Sequence, residues 1–236
     1  MNTLIILHGW ASSKKRWQPI KQLIENSSRY VKVVVPDLPG FKQETVLNKV
    51  WNLNDYIKWL EDFSSDIAEP FYLLGHSFGG RMAIKFAAKH PEKLKGLILV
   101  SSAGIKPEKT DYDSIIKLAQ KGKKLSFLPF YPFFRKVFYR YILKKTDYIE
   151  AEKLPYLKET FQNVIKEDLT EHLSKIETRA LIIWGDKDNM TPIQDGYLMN
   201  REIRNSKMEI LKNISHKPHK EIPDVLVDKI MNFINV

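Results

Sequence analysis

Ser77 lies in Gly75-His76-Ser77-Phe78-Gly79, a Gly-x-Ser-x-Gly turn. An apolar run, Phe71 to Leu74, leads into it, and a helix-like pattern, Arg81-Met82-Ala83-Ile84-Lys85-Phe86-Ala87-Ala88, follows at once. Strand, tight turn and helix together lift a hydroxyl clear of a sheet and set it at a helix N-terminus. Free N–H groups and the positive end of the helix dipole face that spot. Gly75 and Gly79 suit so sharp a turn, because the positions flanking the serine come close and no Cβ is there to clash. Serine is a weak nucleophile and needs a neighbouring base, itself oriented by a third group. Candidates stand after two later strands: Asp186 and Asp188 in Trp184-Gly185-Asp186-Lys187-Asp188, then His216 and His219 in Ser215-His216-Lys217-Pro218-His219. A glycine-rich turn that merely contains serine would look the same over five residues. The acid and base further along, in the order Ser…Asp…His, separate the two readings.

The elements that must position these groups read as alternating strands and helices. Leu4 to Leu7 is a short continuous apolar run, as a buried parallel strand requires, and Val31 to Val35 is a second, β-branched run. Gly96 to Val100, Arg179 to Trp184 and Lys207 to Leu211 complete the set with the strand under Ser77. Helices are expected from Lys15 to Glu25 with Ser12-Ser13 as cap, from Trp51 to Ile67 with Asn52 or Asn54 as cap, over Pro192 to Ile203, and over Ile222 to Ile234. This rhythm gives βαβ units and a parallel sheet, whose ligands gather at the C-terminal strand ends. Ser77 and His8-Gly9-Trp10 both stand at such ends. The rhythm breaks over residues 105–176, which hold no strand pattern and are too long for a plain loop.

The chain has 236 residues, 43% of them hydrophobic, enough for one sizeable core with an insertion. No run of about 18 apolar residues is present, so no membrane span is expected. The first residues carry no signal-peptide pattern, which makes cytoplasmic the default location. Cysteine is absent, which excludes disulfides and a thiol nucleophile. The net charge of +10 admits anionic partners, but no nucleic-acid motif accompanies it, and spread-out lysine reads as a solvated surface. The histidines do not cluster with carboxylates at metal-site spacing, so neither metal nor cofactor is expected.

Five motifs together resemble the α/β-hydrolase fold superfamily: His8-Gly9 after the first strand, Asp37-Leu38-Pro39-Gly40 after the second, the turn at Ser77, Gly185-x-x-Asp188-x-x-x-Pro192, and His216 with Glu221 and Pro223. The resemblance implies an α/β core of about six strands, mostly or wholly parallel and N-terminally shortened. Residues 1–104 and 177–236 would form that core, with a helical cap at 105–176. It implies Ser77 as nucleophile, Asp188 as acid and His216 as base, with the backbone N–H groups of Trp10 and Phe78 as the oxyanion hole. Asp186 then becomes a loop-bonding residue and His219 the second choice of base. His8 would brace the oxyanion loop, His76 would pack or hydrogen-bond beside the turn, Asp37 would hold its own turn, and His90 and His172 would lie at the surface. The chain departs from the family at Ser215, where glycine is usual, and in lacking two opening strands, which would expose a sheet edge.

The implied activity is that of a cofactor-free serine hydrolase on a small or medium carboxylic ester with an apolar portion, through an acyl-enzyme. A thioesterase, lactonase, amidase or C–C bond hydrolase would use the same residues. A ligand-binding receptor on the same fold is the reading of another class. The aromatic run Phe127 to Phe134, interleaved with bases such as Arg135, Lys136 and Arg140, reads first as the cap's own packing and then as a lining for an apolar substrate. Contact with an anionic lipid surface is the lesser reading, since two prolines interrupt the run.

Overall fold

The computed structural model describes residues 1–42, 45–106 and 156–235. Its strands are β1 (Asn2–Leu7), β2 (Val31–Val34), β3 (Phe71–His76), β4 (Leu94–Val100), β5 (Ala180–Gly185) and β6 (Ser206–Leu211). They form one six-stranded sheet in the order β2-β1-β3-β4-β5-β6. Every neighbouring pair is parallel, as the buried apolar runs require. The chain steps outward from β1 to β2 and then returns to β3 on the other side. That places a topological switch between β1 and β3, at the end where Leu7 pairs with Gly75.

The helices are α1 (Gln18–Ser27), α2 (Leu53–Ser64), α3 (Phe78–Lys89), α4 (Leu157–Lys166), α5 (Thr170–Leu173), α6 (Ile193–Glu202), α7 (Pro218–Glu221) and α8 (Pro223–Ile234). Alternate strand residues feed two cores. Leu4, Ile6, Leu74, Ile98 and Ile183 pack with Trp17, Ile20 and Ile24 at α1 and with Leu226 and Ile230 of α8. Ile5, Leu7, Leu73, Leu99 and Ile182 pack with α2, α3, α5 and α6 through Leu60, Met82, Leu173 and Met199. Each such fully buried side chain contributes about 1.5–3 kcal/mol, so the sheet is the rigid frame on which the strand-end loops are hung.

Helix α2 begins as expected from one of its two candidate caps. Asn52 Oδ1 accepts from the amides of Asn54 and Asp55 at 2.8 and 3.3 Å, and Asp55 returns the bond to the Asn52 amide at 2.8 Å. Helix α1 begins later than its pattern predicts. Residues Lys14–Trp17 form a 3-10 turn, Ser13 makes no side-chain cap, and Pro19 sits where a first-turn proline is favoured.

The edge at β2 is not left open. Val33 N–H donates to Glu25 Oε1 at 3.0 Å, and the Val33 carbonyl accepts from Lys21 Nζ at 2.7 Å. Lys21 and Glu25, one turn apart on α1, also pair with each other at 3.3 Å. Two side chains thus take the hydrogen bonds that a further strand would take.

Of the stretch expected to form a cap, 105–106 and 156–176 are described and the remainder, including the aromatic and basic run, lies outside the described residues. Helices α4 and α5 belong to it, and no strand occurs among its described residues. Its two ends are tied together: Leu169 N–H donates to Gly104 O at 3.0 Å and Lys106 N–H to Asp168 Oδ1 at 3.3 Å. From α3, the buried Arg81 donates through Nη1 to the carbonyls of Val164 and Glu167, at 3.0 and 2.7 Å, satisfying acceptors at the C-terminal end of α4. Lys85, one turn on, pairs with the Glu167 carboxylate. Among the described residues, no helix is long and apolar enough to cross a membrane.

Candidate active site

Ser77 joins β3 to α3 with φ 53° and ψ −114°, a strained conformation for a residue with a Cβ. Main-chain bonds hold it there. Its N–H donates to Val100 O at 3.2 Å, and its carbonyl accepts from Gly80 and Ala103 at 2.9 and 3.0 Å. The glycines are required by contact. A Cβ at Gly75 would lie 2.6 Å from Gly80 Cα, and one at Gly79 would lie 2.6 Å from the Leu7 carbonyl carbon. Phe78 is the first residue of α3, so its N–H sits among the unpaired donors of that helix end. The β1 loop lies alongside, since a Cβ on Gly9 would stand 3.4 Å from Ser77 Cβ. Trp10 follows, and Ala11 turns the chain with φ 49°.

His8 braces this loop, as its position suggested. Its ring accepts from Leu38 N–H at Nε2 (3.0 Å) and donates from Nδ1 to Gly9 O (2.8 Å), which fixes the neutral tautomer. Burial, only partly opposed by the Gly9 bond and the Asp37 charge, pushes its pKa down to about 4. Asp37 bonds within its own loop, to Lys42 at 2.7 Å, and also accepts from the Lys14 amide at 2.9 Å, tying the β1 and β2 loops together.

The acid and base loops are also stitched together. Lys187 N–H donates to Ile214 O at 3.0 Å and Asp186 Oδ1 accepts from Asn213 N–H at 2.6 Å, the loop-bonding part expected of Asp186. A Cβ on Gly185 would fall 2.7 Å from the Ile214 carbonyl carbon, so the two backbones touch. Across this seam His216 Nδ1 donates to Asp188 Oδ2 at 2.8 Å, both residues being buried. Burial pushes the Asp188 carboxyl up. The His216 hydrogen bond and charge, with the Thr191 and Met190 amides, outweigh it and hold the group below its ordinary range. Ser215, where the family has glycine, bonds Glu221 twice, from its hydroxyl at 2.5 Å and its amide at 3.1 Å. That clamp sets the loop before His216 by side-chain bonding.

His76 Nε2 donates to the carbonyl of His216 at 2.9 Å, so the residue before the serine holds the backbone of His216. Burial first, then the neighbouring His216 and His219, keep its pKa well below the ordinary value. His219 does not face Asp188. Its ring stacks on Trp17 at 4.5 Å, and burial with Lys220 and Lys217 nearby lowers its pKa to about 3. His90 and His172 are half-buried rather than at the surface, and His90 bonds Glu61 at 2.8 Å. Two neighbours escaped the sequence reading. The Thr191 hydroxyl bonds Asp188 Oδ2 at 2.9 Å, and Asp195 on α6 is pushed up to about 6 by burial and then by Asp188. Thr191 sits inside the Gly185-to-Pro192 motif, which is the signal that could have singled it out. Among the described residues, no group of three His, Cys, Asp or Glu could hold a metal ion.

A parallel sheet with a strained serine turn at its switch point, and an acid–histidine pair on the loops after β5 and β6, defines a class. The chain belongs to the alpha/beta hydrolase fold family, which it matches over residues 2–223. Among its relatives, monoacylglycerol lipase ABHD6 of Mus musculus is 23% identical, across 98% of this chain and 75% of that protein. The pimeloyl-[acyl-carrier protein] methyl ester esterase of Aeromonas hydrophila is 25% identical, across 98% and 94%. Among solved structures, an esterase from Exiguobacterium antarcticum superposes with a TM-score of 0.78 at 17% identity, covering 100% of this chain and 92% of that one.

Proposed function

We propose that this chain hydrolyses a small or medium carboxylic ester with an apolar portion, through an acyl-enzyme at Ser77. The observation that carries the reading is the buried His216 Nδ1–Asp188 Oδ2 bond, which leaves the other imidazole nitrogen as the base. His216 takes the Ser77 proton as the hydroxyl attacks the carbonyl, then returns it to the departing alcohol. Water repeats the cycle to release the acid. Asp188 fixes the tautomer and stabilises the imidazolium. The N–H groups of Trp10 and Phe78 receive the oxyanion, each such donor being worth about 3–4 kcal/mol in other hydrolases. Residues 105–176 serve as the cap that shapes the substrate pocket, and the protein works in the cytoplasm. The names of the lipase and esterase relatives favour an oxygen ester over a thioester, lactone, amide or C–C bond.

A fluorophosphonate probe tests the nucleophile: wild type should label and Ser77→Ala should not, and equal labelling refutes the assignment. A screen of p-nitrophenyl esters of rising chain length separates enzyme from receptor. Turnover by wild type no faster than by His216→Ala would leave the binding-protein reading in its place.

A further inference from the structure

Thr191 is buried at the centre of the acid–base seam. Its amide donates to Asp188 Oδ1 at 3.0 Å and its hydroxyl to Asp188 Oδ2 at 2.9 Å. The same hydroxyl lies 3.3 Å from His216 Nδ1 and 3.3 Å from the carbonyl of Ser101. The Thr191 carbonyl accepts from the indole N–H of Trp184, on β5, at 3.0 Å, so the residue is pinned to the sheet. A hydroxyl has one proton to give. His216 Nδ1 already donates to Asp188 and cannot accept it. Of the remaining acceptors, the carboxylate is both nearer and charged, and it takes the stronger bond.

We propose that Thr191 is a positioning residue for the base: its hydroxyl occupies the same Asp188 oxygen that receives His216, and so limits how strongly that oxygen holds the imidazole. The inference rests on the Ser77–His216–Asp188 reading. A hydroxyl bonded to Oδ2 draws off part of the charge that would otherwise stabilise the imidazolium. Without it the carboxylate pairs with the imidazolium more tightly, and the base stays protonated to higher pH. The oxygen also loses one of the two donors that fix its direction, so the ring plane is less well set.

Other charges face this pair. His76 at the end of β3, and His219 and Lys217 at α7, approach His216. Asp195 on α6 faces Asp188, and Arg81 on α3 faces Asp195 in turn. His76 and His219 are kept neutral by burial. Asp195 titrates at about 6, inside the window of interest, and must be removed as a separate source of pH dependence.

The test is the rate of fluorophosphonate labelling as a function of pH, which needs no knowledge of the substrate. Thr191→Val and Thr191→Ser are compared with wild type, each also in an Asp195→Asn background. The midpoint of the acid limb should rise by about half a pH unit or more in Thr191→Val. It should return in Thr191→Ser, and the difference should persist without Asp195. Slower labelling at every pH with the midpoint unmoved overturns the proposal and leaves Thr191 a packing residue. If Thr191→Val does not fold, Thr191→Ala is read in the same way. Failure of both to fold while Thr191→Ser folds also counts against it, because a tuning hydroxyl is dispensable for folding. Labelling that survives Ser77→Ala would instead refute the underlying assignment.

Discussion

Acid should destabilise this protein through its buried histidines, before most of its carboxylates are protonated. His8, His76 and His219 are buried and neutral, with pKa values of about 4 for His8 and about 3 for His219 against an ordinary 6.5, and well below it for His76. A histidine whose folded pKa is depressed binds its proton more readily when unfolded. Stability from such a group is complete above 6.5 and is lost as pH falls towards the folded value. At pH 5 the loss depends only on the unfolded value. It is 1.5 units at about 1.36 kcal/mol per unit, or about 2 kcal/mol for each histidine. His8 and His219 together lose about 4 kcal/mol, His76 adds in the same direction, and protonation of the partly exposed Asp195 offsets about 1 of that after solvent screening. The net loss of at least about 3 kcal/mol is a large part of the whole stability of many domains, about 5–15 kcal/mol. Urea unfolding at pH 8 and pH 5 measures it directly. The control is His219→Phe, which keeps a ring against Trp17 and should recover about 2 kcal/mol of the difference. Stability at pH 5 within about 1 kcal/mol of that at pH 8 would refute the reasoning, since single perturbed groups of this kind are worth more than that.

Asp195 carries the opposite sign. Its raised pKa means that stability is lost as pH rises through about 6, so Asp195→Asn should melt higher at pH 8, by about 1 kcal/mol after discounting for exposure. Below the unfolded value the two proteins should melt alike. Arg81→Met should strand the carbonyls of Val164 and Glu167 at a cost of about 2–3 kcal/mol, and amide exchange in α4 should accelerate before exchange in the sheet. Gly79→Ala drives a Cβ to 2.6 Å from the Leu7 carbonyl carbon, so it should cost about 3 kcal/mol or more in urea unfolding.

The inner strands β1, β3, β4 and β5 were legible because they are largely buried and read as apolar runs, while the edge strands β2 and β6 carry exposed polar residues among the apolar ones. Strand ends moved by a residue or two where the ladder continues past the apolar run, as when β3 extends through Gly75 and His76 to pair with Leu99 and Val100. Asp188 and His216 were legible because motif spacing places them on adjacent strand-end loops. What escaped notice joins residues far apart in sequence through side chains with ordinary surface alternatives. The His76 bond spans 140 positions and the Arg81 bond to Val164 spans 83. Lys21 and Glu25 look like any pair one helical turn apart, and nothing local says that they close the edge at β2. The second partner of Asp37, the Lys14 amide 23 positions away, escaped for the same reason.

The bonds that hold Ser77 in its left-handed conformation all run through its main chain, from Val100, Gly80 and Ala103. Among the described residues, the hydroxyl makes no hydrogen bond that keeps the turn. The turn is therefore a socket, indifferent to which small side chain it presents. Folding tension of about 1–3 kcal/mol is stored there whether the occupant is serine, alanine or cysteine, and only glycine would release it. Chemistry and architecture are separable at this one position. On the proposed mechanism, Ser77→Ala should be an intact container for substrate that does not turn it over, suited to catching the molecule the wild-type protein would cut.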